Sequence, residues 1–285
     1  MNKAELLSKY ESNLAGSKNK NHYLSYAKRF LDYADALDKE NVNNYIKKLK
    51  RQGNSPGTLN FAFRVVGRLF KVNGIEWPFR RGEAPQIGQR EEVKPALDPE
   101  VIKAMIQAAK DNGLENDEAC FLALSTVYGL RREEMYNLVS KDIDFKGNTI
   151  FISTVKSGRQ RYHLIPLEIK PYLERHDFEN RYSDTAMSQM FWRIINKSGL
   201  EAFKSERLGW HSIRRTLITL LHQSGVDPFT VHQFMRWKGA QRDMAMDTRY
   251  HATHFVGLEG TKVVAMEAQS DKEVFKKHPL LKFWK

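Results

Sequence analysis

The chain has 285 residues, 41% hydrophobic and 28% charged, enough apolar material for one large domain or two smaller ones with separate cores. Its 46 Lys and Arg against 34 Asp and Glu give a formal net charge of +12, which favours a polyanionic partner, because counterion release from nucleic acid rewards clustered cations. A single cysteine, Cys120, excludes an intrachain disulfide, no apolar stretch nears the roughly 18 residues of a membrane span, and the N-terminus lacks the apolar core of a secretory signal.

The first 80 residues read as helices separated by turn signals. Tyr23, Tyr26, Ala27, Phe30, Leu31 and Ala34 recur at three- and four-residue spacing, as do Val42, Tyr45, Ile46 and Leu49, and each set gives one apolar helix face. The second helix should end near Gly53. Ser55-Pro56-Gly57-Thr58 looks like a start signal, with Thr58 as the cap of a helix carrying Leu59, Phe63, Val66, Leu69 and Phe70 and ending at Asn73-Gly74. Residues 1–80 hold 15 Lys and Arg against 7 Asp and Glu, so this helical segment is a candidate for gripping a duplex. A polar stretch without periodicity follows and reads as an interdomain linker, residues 81–95.

Asp98 then caps a new helix with Pro99 at its first position. Residues 120–127 continue as a helix into a turn at Gly129, and residues 133–139 form the next. Cys120 lies in the apolar run and reads as a buried, inert thiol. Residues 142–145 and 147–152 read as a hairpin with Asn148 beside the turn glycine, and residues 162–167 as an edge strand, because Pro166 cannot donate to a ladder. Helices return from Pro171. Asp142 and Asp144 flank Ile143 and read as a solvated strand face rather than a metal pair.

Five sites spread along this second half could converge on a phosphodiester. Arg131 stands where a turn feeds a helix, and an arginine fork donates two parallel hydrogen bonds to phosphate without losing its charge. His211 and Arg214 are three apart, so on a helix imidazole and guanidinium project from one face. Lys156 sits just past a strand, at a basic hairpin tip with Arg159 and Arg161. Trp237 offers one N–H donor and a rigid apolar wall. Tyr250 is the only tyrosine after His211, and a phenol with a pKa near about 10 needs an electropositive cradle to attack as the phenolate. No histidine and carboxylate spacing suggests a zinc motif and no glycine-rich loop suggests ATP, so neither metal nor cofactor is expected.

In order and spacing these residues resemble the tyrosine recombinase (phage integrase) family over about residues 95–254. Gly129-Leu130-Arg131-x-x-Glu134 resembles its first box, His211-x-x-Arg214 its second, and Thr248-Arg249-Tyr250-His251 its last. The resemblance implies a mainly α architecture: a helical, SAM-like core-binding domain over residues 1–80, and a mostly helical catalytic domain with a small antiparallel β-sheet over residues 96–266. It implies that Arg131 and Arg214 clamp the scissile phosphate, with Glu134 supporting Arg131 and Arg132 not involved. Lys156 would protonate the departing 5′ oxygen, His211 would bond the phosphate or take the tyrosine proton, and Trp237 would stand in the place of the family's histidine or tryptophan. Tyr250 would form a 3′-phosphotyrosyl link.

Two departures stand out: Met235-Arg236 precedes Trp237 where the family has Leu-Gly or its equivalent, and 13 residues separate Trp237 from Tyr250, longer than the pattern. The implied partner is double-stranded DNA at paired specific sites, bound by a homotetramer in which the helical and catalytic domains clamp the duplex from opposite faces, with no membrane or small-molecule substrate, in the cytoplasm. Type IB topoisomerase-like nicking and closing, or a decayed DNA-binding accessory protein, are the alternatives, and the intact residue set argues against decay. The apolar tail, residues 267–285, would dock on a neighbouring protomer or on its own domain.

Overall fold

A computed structural model describes residues 2–17, 19–80, 82–88, 95–154, 158–200, 208–237 and 270–285. The chain divides into two compact units, Met1–Val93 and Lys94–Lys285.

The first unit holds four helices, α1 (Lys3–Asn13), α2 (Lys20–Tyr33), α3 (Lys39–Arg51) and α4 (Pro56–Val72). The apolar faces read from the sequence form its core, with Phe30, Val42, Ile46, Leu59, Val66 and Leu69 all buried. The start of α4 differs from expectation. Ser55, not Thr58, is the cap, and its hydroxyl accepts the Thr58 N–H at 3.3 Å. Pro56 follows at the first helical position, where its missing N–H costs nothing. Part of the expected linker belongs to this unit, since Ile87 packs against its core and Glu83 accepts from Lys39 Nζ at 2.9 Å.

In the second unit α5 (Pro99–Lys110) begins at the Asp98 cap, which accepts the Glu100 N–H at 2.8 Å. The central helix α6 (Asn116–Tyr128) is buried from Glu118 to Tyr128, with Cys120 inaccessible within it. Burial on all sides explains why its sequence shows so little amphipathic contrast. α7 (Arg132–Tyr136) is shorter than expected. The Val139 N–H donates to Asp142 Oδ2 at 3.1 Å instead of to a helical carbonyl.

A three-stranded antiparallel sheet follows in the order β1 (Ile143–Asp144), β2 (Thr149–Ile152), β3 (Arg161–Leu164). Asn148 takes a left-handed backbone, φ 50°, at the first turn. Asp144 is exposed and accepts the Lys146 and Gly147 N–H groups at 3.0 and 2.9 Å, and Asp142 accepts the Val139 N–H, so both carboxylates also shape turns. The edge strand stops before Pro166, earlier than expected: the Pro166 carbonyl accepts from Ile169 and Lys170 and turns the chain into α8 (Lys170–Glu174). α9 (Asp184–Lys197), α10 (Trp210–Gln223) and α11 (Pro228–Phe234) complete the described elements before the tail. None of the described helices is long and apolar enough to cross a membrane.

The tail, expected on a neighbouring protomer or on its own domain, packs into the core of its own unit. Val274, Leu280, Leu281 and Trp284 join the cluster around α5 and α6. Two polar contacts fix it: Trp284 Nε1 donates to Thr126 Oγ1 at 3.0 Å, and His278 Nε2 donates to the Val127 carbonyl at 2.9 Å. The Thr126 hydroxyl, which donates to the Leu122 carbonyl at 2.8 Å, uses its free lone pair to accept from the tail, and the buried Val127 carbonyl gains a donor, which favours docking within the chain. Trp284→Ala is therefore expected to destabilise the second unit by about 3–5 kcal/mol, with a urea midpoint independent of protein concentration. A midpoint unchanged by the substitution would contradict this packing.

Candidate active site

The site begins where α6 ends. Gly129 has a left-handed backbone, φ 57°, which favours glycine, and a Cβ there would stand 2.6 Å from Met235 Cε, so that side chain would have to shift. The turn delivers Arg131 to the N-terminal end of α7. Its backbone N–H donates to Glu134 Oε2 at 2.9 Å and its guanidinium to Oε1 at 2.5 Å. The Arg131 side chain stays 22% exposed while that of Glu134 is 1% exposed, so the cation is open to a ligand and its support is not. Arg132 points elsewhere, onto Ser188 and Asp184 of α9 at 2.9 Å each.

α10 carries His211 and Arg214 one turn apart, and the buried Trp210 fixes its start by donating to the Met187 carbonyl at 2.7 Å. Arg214 is only 4% exposed. Its fork spans the Gly129 and Met235 carbonyls, the latter at 2.9 Å, tying α10 to the turn before Arg131 and the end of α11. Burial, then the Arg236 and Arg131 cations, push its pKa down to about 9; it remains charged at neutral pH but in a field that an arriving anion would relieve. Trp237 lies beside it, with the Arg214 guanidinium 5.9 Å from the indole centroid and the His232 ring packed on the same indole at 4.5 Å. His211 is exposed at the start of the helix.

Behind these residues stands one that sequence reading passed over. Arg236 has no exposed surface and a left-handed backbone, φ 57°. Its Nη2 donates to Glu134 Oε2 at 3.1 Å, and its Nη1 to His163 Nε2 at 3.2 Å. Arginine can only donate, so His163 accepts at Nε2 and carries its proton on Nδ1, which faces Asp271 Oδ2 at 3.1 Å. Asp271, from the tail, also accepts from Arg161 Nη2 at 2.7 Å and from the Leu164 N–H at 2.9 Å. Burial would push Glu134 up, but Arg236, then the Arg131 N–H and guanidinium, outweigh it and hold the carboxyl below its usual range. The only trace in the sequence is the departure at 235–236, where an arginine stands in the place of a residue that readily takes a left-handed backbone.

The structure thus brings together Arg131, Arg214 and Trp237, with His211 on the same helix as Arg214. Lys156 and Tyr250, and the long Trp237–Tyr250 connection, lie outside the described residues. Tyr128, buried within the site's wall, donates its hydroxyl to the Leu164 carbonyl at 2.8 Å, and burial raises its pKa well above the ordinary value. Among the described residues no three His, Cys, Asp or Glu side chains gather as a metal-ligand set. Chemically, the cluster is a preorganised cationic cradle for a monoanionic group.

A helical unit carrying a three-stranded sheet, with two arginines set at its mouth from α7 and α10, defines the class of fold. Residues 95–253 match the phage integrase family, and the chain belongs to that family of tyrosine recombinases. Tyrosine recombinase XerA of Thermococcus onnurineus (strain NA1) is 26% identical over 233 residues, covering 75% of this chain and 78% of that protein. The type 1 fimbriae regulatory protein FimB of Escherichia coli (strain K12) is 25% identical over 171 residues, covering 55% of this chain and 85% of that protein. Among solved structures, a lambda integrase (75–356) dimer bound to a COC' core site aligns with a TM-score of 0.64 at 16% identity, covering 84% of this chain and 96% of that one. The Tn1549 transposon integrase in complex with circular intermediate DNA gives 0.58 at 15% identity, covering 92% and 98%. At these identities the structural likeness shows the fold.

His163 and His278 are both buried, and burial pushes each down from 6.5 to about 4. Between those values the unfolded chain binds protons that the folded one does not. Stability of the second unit is therefore complete above pH 6.5 and falls as pH drops toward 4. Urea midpoints measured at about pH 7.5 and about pH 5 should differ, and His163→Gln should flatten the slope; equal midpoints in the unaltered protein would refute the assignment.

Proposed function

We propose that this chain is a site-specific DNA recombinase that cuts and rejoins strands through a 3′-phosphotyrosyl intermediate. Arg131 and Arg214 hold the two non-bridging oxygens of the scissile phosphate. The Tyr250 phenol loses its proton, to His211 or to solvent, and its oxygen attacks phosphorus. The P–O5′ bond breaks, and Lys156 protonates the departing 5′ oxygen. A 5′ hydroxyl from a second strand then attacks the phosphotyrosine, the phenol leaves, and a new phosphodiester forms. Because each step exchanges one phosphoester for another, bond energy is conserved, and no metal or ATP enters this scheme. Trp237 bonds the phosphate through its indole N–H and walls the site beside Arg214.

The observation that carries this reading is the pairing of an open, braced Arg131 with a buried Arg214 at the junction of α6, α7, α10 and α11, inside the stretch matched by the family. Such fixed donors stabilise the extra charge of a pentacoordinate phosphorus more strongly than mobile surface cations would. The basic first unit, residues 1–80, supplies further backbone contacts to the duplex. The working form is a homotetramer on paired DNA sites, and the reaction takes place wherever in the cell that DNA lies.

A nicked suicide duplex, from which the 5′ fragment diffuses away after cleavage, tests the scheme by trapping protein on the 3′ side. Tyr250→Phe should bind the duplex but give no adduct, and Arg214→Lys, which keeps charge but loses the fork, should slow trapping by roughly 100-fold. Adduct formation by Tyr250→Phe, or attachment to the 5′ side, would sink this function. Binding without adduct by the unaltered chain would point to an accessory DNA-binding protein instead.

A further inference from the structure

Arg236 cannot touch a substrate, since no part of it reaches the surface. Yet it occupies an expensive position. A non-glycine residue with φ 57° carries backbone strain, and a wholly buried guanidinium is costly unless paired and hydrogen-bonded. Its partners say what the cost maintains. The fork holds Glu134 Oε2 at 3.1 Å, and the same carboxylate holds both the N–H and the guanidinium of Arg131. Its two Nη groups also reach the Phe234 and Tyr128 carbonyls at 3.2 to 3.4 Å, and Nη1 reaches His163 at 3.2 Å. The backbone at the same residue serves the site as well: its carbonyl accepts the Arg159 N–H at 3.1 Å, and a Cβ on Gly158 would stand 2.8 Å from it.

We infer that Arg236 is a positioning residue for strand cleavage, which acts through Glu134 to hold the Arg131 guanidinium in the orientation that receives the scissile phosphate. The inference rests on the recombinase reading above. Without Arg236, Glu134 would be a buried carboxylate with one cationic partner that is itself partly exposed, free to rotate with Arg131 and to be neutralised. With it, the carboxylate is gripped from behind, and Arg131 is left with few orientations. Lysine cannot replace this function fully, because a point charge cannot reach Glu134 and the neighbouring carbonyls in one plane.

The test compares unaltered protein with R236G, R236K, E134Q and the R236G/E134Q double variant. Glycine suits the left-handed backbone, so R236G removes the fork while relieving the strain. Each protein is checked for folding by thermal melting and for affinity to an intact duplex, then assayed for single-turnover adduct formation at saturating DNA. R236G and E134Q should bind DNA within about threefold of the unaltered protein but form adduct about tenfold or more slowly, with R236K intermediate. The double variant should be no slower than the worse single one, because both losses travel through one carboxylate. Adduct formation by R236G at the unaltered rate overturns the inference, as do losses that multiply in the double variant. Loss of folding in both R236G and R236K also overturns it, assigning Arg236 to stability alone. No adduct from the unaltered protein would instead strike down the recombinase reading on which this inference depends.

Discussion

The buried carboxylate of Glu134, held between Arg131 in front and Arg236 behind, is the interaction on which the site depends. A carboxylate at 1% exposure stays ionised only if cations repay its lost hydration, and two guanidinium groups do so from opposite sides. The arrangement turns a flexible surface arginine into a fixed donor. Arg214 reaches the same condition by another route, through two backbone carbonyls rather than an acid. One clamp is thus set by charge and the other by the ends of α6 and α11, so the two arginines do not compete for one counterion.

The charge of the wider cluster follows from these pairings. Arg131, Arg214, Arg236 and Arg161 face Glu134 and Asp271, while His163 is neutral because burial, against the opposing pull of Asp271, pushes its pKa down to about 4. Among the described residues, these four cations against two carboxylates leave two positive charges. In the proposed reaction a phosphodiester would bring one negative charge and a pentacoordinate phosphorus would gather more, so such a field would favour the transition state over the resting substrate. The lowered Arg214 pKa comes first from burial, and the neighbouring Arg236 and Arg131 cations add to it.

Helical periodicity made much of this legible in advance. The core faces of α2, α3 and α4 repeat at three and four residues, and the i, i+3 spacing of His211 and Arg214 places them on adjoining turns whatever surrounds them. Arg131 was separable from Arg132 only through the resemblance, and geometry explains the difference: one caps α7 at the site, while the other turns to α9. Ser55 and Thr58 were ambiguous because both carry hydroxyls near the start of α4, and the choice depends on which backbone is extended. Arg236 was illegible for a deeper reason. Nothing in a turn sequence says that a cation will face inward, since its partners Glu134, His163 and Tyr128 lie 73 to 108 residues away.

Asp271 gives the tail a meaning that its apolar residues alone do not. Val274, Leu281 and Trp284 could bury themselves against any complementary surface, which is why composition left the docking partner open. Asp271 has a narrower choice: Arg161, His163 and the Leu164 N–H present donors on a single stretch of β3, and a carboxylate at zero exposure needs them all. His163 Nδ1 and the Leu164 N–H would both lose this acceptor if the tail departed. His163 would then lose the acceptor that fixes its proton on Nδ1, and with it the free Nε2 lone pair that receives Arg236. A segment that begins as a structural strap therefore connects to the Arg131 site through buried groups in three steps, Asp271 to His163 to Arg236 to Glu134.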